Sequence, residues 1–167
     1  LSFGIRVIPI PLNSTSEHLS FILKQSEVTH LFVGGKTAIR LWNEVHHNYD
    51  TLVIALNDSS LIQGKVMDWE IFFENRDRSQ NFDVDQRLSC VSMDRTQTIM
   101  YTSGSTANPK GITFNQNNII SKRFARALAL PDFGSDDIFL CYLPLFHTFG
   151  RYFELMGSIF WGATYSF

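Results

Sequence analysis

Tyr101-Thr102-Ser103-Gly104-Ser105-Thr106-Ala107-Asn108-Pro109-Lys110-Gly111 is the stretch on which the reading of this chain turns. Four of its eleven residues are small hydroxyl residues, two are glycines and one is a lysine, and an apolar run, Gln97 to Thr102, leads into it. Hydroxyls and open backbone N–H groups on such a loop can wrap phosphate oxygens, and a lysine adds a point charge. A Walker loop needs Gly-x-x-x-x-Gly-Lys-Ser/Thr opening directly into a helix. Here Pro109 precedes Lys110, Gly111 follows it, and a second β-rich run, Gly111–Phe114, comes next, so that reading is excluded. A plain polar turn between two strands is the alternative, because Ser, Gly and Pro clusters punctuate turns.

Outward from the loop, short β-rich runs alternate with helical patterns. Upstream, the spacing predicts a strand over Ile5–Ile10, with Pro9 and Pro11 at its end. A helix follows, capped by Ser14 with Glu17 and burying Leu19, Ile22, Leu23 and Ser26. Then come a strand over His30–Val33 closed by Gly34-Gly35, and a helix from Lys36 to His47 with Ile39, Trp42 and Val45 inward. Thr51 to Leu56 reads as a strand buried on both faces. Residues 57–95 are polar and irregular, with a helix around Asp68–Glu74. Downstream, Asn115 caps a helix whose buried face holds Ile120, Phe124, Ala127 and Leu128. Lys122, Arg123 and Arg126 then fall on its polar, solvated side, with contact to a phosphate as the alternative. A strand at Asp137–Leu143, an apolar helix at Gly150–Trp161 and a last strand complete an α/β layered sheet with βα repeats and right-handed crossovers.

Composition narrows the classes. With 167 residues, 44% hydrophobic and 18% charged, the chain suits one folded domain rather than a disordered segment. A net charge of −2, from 14 basic and 16 acidic residues, gives no electrostatic basis for bulk binding to nucleic acid or an anionic membrane. Cys90 and Cys141 form neither a disulfide framework nor a metal pattern, and His46-His47 has no further ligands at suitable spacing. Leu1 and Phe167 lie in or near apolar runs, which is the expectation for a piece of a longer protein.

A second segment, Tyr142-Leu143-Pro144-Leu145-Phe146-His147-Thr148-Phe149-Gly150-Arg151, stands about forty residues after the loop. Together the two resemble successive motifs of the adenylate-forming superfamily of acyl-CoA synthetases, luciferases and peptide-synthetase adenylation domains. Its phosphate signature is Tyr-Thr-Ser-Gly-Ser/Thr-Thr-Gly-x-Pro-Lys-Gly, and the next motif is Leu-Pro-Leu-Phe-His-x-Phe-Gly. Ala107 departs from the signature, standing where the family has glycine; at a positive φ an alanine would strain the loop. The wording around Phe146–Ser158 looks most like bacterial long-chain fatty-acid–CoA ligases.

The resemblance implies part of the large N-terminal domain over residues 1–167, with the C-terminal part of the enzyme absent and the piece itself inactive. It implies activation of a long-chain fatty acid by ATP as an acyl-adenylate and transfer to coenzyme A, with Mg²⁺ neutralising the triphosphate. By the same resemblance, Thr102, Ser103, Gly104, Ser105 and Thr106 cradle the β- and γ-phosphates, and Lys110 adds charge or anchors the loop. His147 is the catalytic residue that orients the carboxylate, and Phe146 and Phe149 wall the acyl entrance. A cytoplasmic enzyme with peripheral membrane association is expected. An aryl or amino acid in place of the fatty acid, or a nucleotide-binding module without catalysis, are the competing readings. Arg151 and Glu154, at i, i+3 spacing, are expected to form an internal ion pair.

Overall fold

The computed structural model describes residues 4–75, 83–102 and 108–167. They fall into two compact units, one built from residues 10–75 and the other from residues 4–9, 83–102 and 110–167.

The first unit is a small parallel sheet with helices. Helix α1 (Ser16–Ser26) precedes strand β1 (His30–Val33), helix α2 (Lys36–Val45), strand β2 (Leu52–Ala55), strand β3 (Val66–Asp68) and helix α3 (Trp69–Glu74). The sheet runs β1-β2-β3, all parallel, with Val33 opposite Ala55 and Val53 opposite Val66. Central β2 is sealed, as its continuous apolar run predicts: Val53 and Ile54 expose no surface. Leu19 and Leu23 of α1 pack with Ile39, Trp42 and Val45 of α2 against Val33, Val53 and Ala55. The polar edge of Trp42 is satisfied where its indole N–H donates to the Gln63 carbonyl at 2.7 Å.

Two local expectations move, and one strand is new. The cap of α1 is Thr15, whose hydroxyl accepts from the His18 N–H at 3.2 Å. Ser14 is used one step earlier, its N–H donating to the Pro11 carbonyl in the preceding turn. Adjacent hydroxyls are equivalent in sequence, and the turn after Pro11 decides which one reaches the helix. Helix α2 stops at Val45 and a 3₁₀ turn, His46–Asn48, takes over. Strand β3 has only three residues, too few for an alternation to be read.

The second unit holds helix α4 (Val84–Ser89), strands β4 (Thr96–Thr102) and β5 (Lys110–Asn115), and helix α5 (Gln116–Ala129). Strand β6 (Ile138–Leu140), a π-helix (Phe149–Leu155), helix α6 (Met156–Trp161) and strand β7 (Thr164–Ser166) follow. β4 and β5 form an antiparallel hairpin, and β6 pairs with β7 in parallel. The strand expected at Ile5–Ile10 is reduced to one parallel bridge, Val7 with Thr98. Val7 donates to the Gln97 carbonyl and accepts from Ile99, after which Pro9 and Pro11 have no N–H with which to continue.

Helix α5 begins as expected, with Asn115 and Asn118 each accepting from the other's backbone in a capping box. Its buried face is not the expected one. Phe124 and Leu128 are 60% and 83% exposed, whereas Arg123 is only 5% exposed. The guanidinium groups of the arginines lie there instead: a Cβ on Gly157 of α6 would touch Nη1 of Arg123 at 3.4 Å, and Cζ of Arg126 lies 5.2 Å from the centroid of the Phe153 ring. Arg123 and Arg126 are therefore packed, not solvated.

Candidate active site

The β4–β5 hairpin sets out the feet of the phosphate-loop sequence. Gln97, Thr98, Met100 and Tyr101 are buried, and Thr102 emerges into solvent at the end of β4. Register places Thr102 opposite Lys110 and Tyr101 opposite Gly111. The Thr102 hydroxyl points at the Lys110 carbonyl across 3.5 Å, so a hydroxyl and an exposed lysine stand side by side where the two strands part. Gly111 is dictated by space. A Cβ there would lie 2.9 Å from Cγ2 of Ile99 and 3.1 Å from the Tyr101 ring. Ser103, Gly104, Ser105, Thr106 and Ala107 lie outside the described residues.

The second motif is a turn locked onto the start of the π-helix. The His147 N–H donates to the Pro144 carbonyl at 2.9 Å, closing a turn whose central residues are Leu145 and Phe146. The His147 carbonyl accepts from the Arg151 N–H at 3.1 Å. Gly150 is fully packed against the turn: a Cβ there would stand 2.7 Å from the carbonyl oxygens of both Leu143 and Pro144. The Phe149 N–H donates to Nδ1 of His147 at 3.3 Å. With Nδ1 accepting, the proton of the neutral imidazole belongs on Nε2, which is left as a donor on an exposed ring. Phe149 is half exposed and its ring centroid lies 4.8 Å from that of Phe153. Phe146, beside it in the turn, is half-buried.

Hairpin and turn are joined through their aromatic residues. Phe114, on the strand that starts with Lys110, packs its ring 5.1 Å from Tyr152 in the π-helix. Burial pushes the Tyr152 phenol above its ordinary value, with Arg151 and Arg123 pulling it back. Arg151 does not pair with Glu154. Its Nε–H donates instead to the Leu145 carbonyl at 2.8 Å, and Oε2 of buried Glu154 has no hydrogen-bond partner. In a π-helix residues three apart are no longer stacked as they are in an α-helix, so the i, i+3 spacing loses its meaning. Sequence gave no sign of the Arg151–Leu145 bond or of the burial of Arg123. Among the described residues, no three His, Cys, Asp or Glu side chains cluster as metal ligands.

The AMP-binding enzyme family matches the chain over residues 1–167. The chain belongs to that family. An AMP-binding relative, long-chain-fatty-acid–CoA ligase 1 of Saccharomyces cerevisiae, is 44% identical over 66 residues, covering 39% of this chain and 9% of the relative. A methyl-dioxo-octahydroindenyl propanoyl:CoA ligase of Rhodococcus jostii is 25% identical across 96% of this chain and 32% of its own length. The chain thus spans less than a third of either relative. The crystal structure of VinN shares the fold with a TM-score of 0.72 at 22% identity, covering 98% of this chain and 39% of VinN, which has also been solved with L-aspartate. The AMP-binding fold is therefore an α/β one here, as the order of elements predicts.

Proposed function

We propose that this chain is the ATP-contacting part of an adenylate-forming ligase that activates a long-chain fatty acid and passes it to coenzyme A. The observation that supports the reading is the register of Thr102 against Lys110, which pairs a threonine and an exposed lysine at the two ends of a phosphate-loop sequence. In this reading a carboxylate oxygen attacks the α-phosphorus of ATP, pyrophosphate leaves, and the thiol of coenzyme A then displaces AMP from the acyl-adenylate. The nucleophile is already ionised at neutral pH, so no general base is needed. What the chain must do is hold two anions together. Lys110 and the loop hydroxyls offset the charge of the triphosphate, and Nε2–H of His147 donates to the carboxylate. Phe146 and Phe149 border the acyl chain. Mg²⁺, when bound, would neutralise the phosphates.

The fatty acid is favoured by the 44% identity to the yeast long-chain ligase, a stretch of 66 residues. The Rhodococcus ligase is named for a different acid and VinN has been solved with L-aspartate, and they suggest the second reading: the same chemistry on another carboxylate. Carboxylate-dependent ATP–pyrophosphate exchange separates the two in the complete ligase that contains this chain, assayed with acetate, octanoate, palmitate and benzoate. Exchange driven by palmitate supports the fatty-acid reading; exchange driven only by benzoate or acetate rejects it. Silence with every acid beside measurable ATP binding rejects the fatty-acid reading and favours the nucleotide-binding module without catalysis. The 167-residue chain alone is expected to form no acyl-adenylate.

A further inference from the structure

Arg151 lies outside the histidine motif and touches neither ring nor carboxylate site, yet it holds the His147 turn at two points. Its backbone N–H donates to the His147 carbonyl at 3.1 Å, and its Nε–H donates to the Leu145 carbonyl at 2.8 Å. Leu145 is a central residue of the turn closed by Pro144 and His147, and its carbonyl has no strand or helix partner of its own. The side chain of Arg151 therefore supplies what the local backbone cannot. Gly150, immediately before it, removes the only side chain that would hold the turn away from the π-helix. The ring of His147 is then fixed through Nδ1 by the Phe149 N–H, whose position depends on the same turn.

We propose that Arg151 is a positioning residue for His147: the Nε–H bond to Leu145 fixes the turn, and through it the tautomer and aim of the imidazole that meets the carboxylate. The inference rests on the ligase reading for what His147 does, but the mechanical coupling of Arg151 to His147 stands without it. The role requires a donor at the Nε position and no charge. Burial lowers the tendency of this guanidinium to stay protonated, which is a cost that a purely electrostatic role in this place would have to overcome.

The chemistry of the role makes it testable by two substitutions of equal length. Glutamine places an amide N–H where Nε stands, without charge; methionine fills the same volume without a donor. In the complete ligase, Arg151→Met is expected to raise KM for the carboxylate about tenfold while KM for ATP stays within about twofold, and Arg151→Gln to retain nearly wild-type values. In an His147→Ala background, Arg151→Met should add less than about twofold, because a residue acting through His147 has nothing left to act on. Equal behaviour of Gln and Met, or a full Met effect without His147, overturns the proposal.

A second readout needs no substrate. In the 167-residue chain with ¹⁵N-labelled histidine, the His147 ring, assigned by its loss in His147→Ala, should show the Nε2–H tautomer. Arg151→Met should convert it to a mixture, and Arg151→Gln should not. An unchanged ring signal in Arg151→Met overturns the coupling. Should the wild-type ligase give no exchange with any acid, the functional reading fails on that arm alone and the ring signal still decides this one.

Discussion

Gly150 lies so close to Leu143 that a Cβ on the glycine would stand 2.7 Å from the leucine carbonyl oxygen. A second carbonyl, that of Pro144, is equally near. Both are backbone atoms of a closed turn and neither can swing aside. Gly150→Ala must therefore part the turn from the π-helix, at a cost of about 1–3 kcal/mol for overpacking. At this chain length about 2–4 °C of midpoint is lost per kcal/mol, so thermal unfolding followed by circular dichroism should fall by several degrees. An unchanged midpoint would mean that the turn is free to move.

Arg123 is 5% exposed and Nε, Nη1 and Nη2 all lack a hydrogen-bond partner. Burial, with repulsion from Arg126 behind it, brings the guanidinium down to about 10. The folded state thus binds this proton less well than the unfolded state. The sign follows: below pH 10 both states are protonated and the folded protein carries the whole penalty, and stability recovers only as pH rises above that value. Arg123→Met should raise the unfolding midpoint of the chain, by an amount corresponding to about 1–4 kcal/mol. The gain should be the same at every pH from about 6 to 9, since the penalty is constant below the folded-state value. A loss of stability would show that the guanidinium is paired in solution.

Gly111 faces Tyr101 across the hairpin, and a Cβ on it would press against Ile99 at 2.9 Å and the Tyr101 ring at 3.1 Å. Gly111→Ala is expected to splay the strands where they carry Thr102 and Lys110. On the ligase reading KM for ATP should rise while KM for the carboxylate changes little, the reverse of the Arg151→Met pattern. Steady-state kinetics on the complete enzyme separate the two.

Glu27 ends α1 in the left-handed region, φ 51°, with its N–H donating to the Leu23 and Lys24 carbonyls. No other residue type adopts that conformation as freely as glycine. Glu27→Gly should stabilise the chain by roughly 0.5–1 kcal/mol, because an L side chain pays about 1–2 kcal/mol there. Urea unfolding with unchanged slope and a higher midpoint is the expected result.

The parts of the fold legible in the sequence are those where one physical signal dominates. Leu52–Ala55 reads as a sealed strand because every position is apolar, and Asn115 reads as a cap because a short amide before a periodic run has few other uses. Legibility fails where the partner decides. Phe124 and Leu128 have the right spacing for a core face, but spacing says nothing of what lies opposite, and it is Arg123 that is buried and Arg126 that packs on the Phe153 ring. Arg151 and Glu154 have the spacing of a helical ion pair in a segment that is not α-helical. For the candidate site, the strands flanking the loop could be read from the chain, and His147 is the residue its motif nominates. The bonds that aim the imidazole could not, because each of the four has a backbone atom as its donor or its acceptor.

The pairing of Thr102 with Lys110 closes the interval between them like a clasp. One residue gained or lost along β4 or β5 would turn every later side chain to the opposite face, sending Tyr101 or Phe114 into solvent. Across the family, both strands should therefore keep their length, and an alignment that opens a gap in either is misplaced.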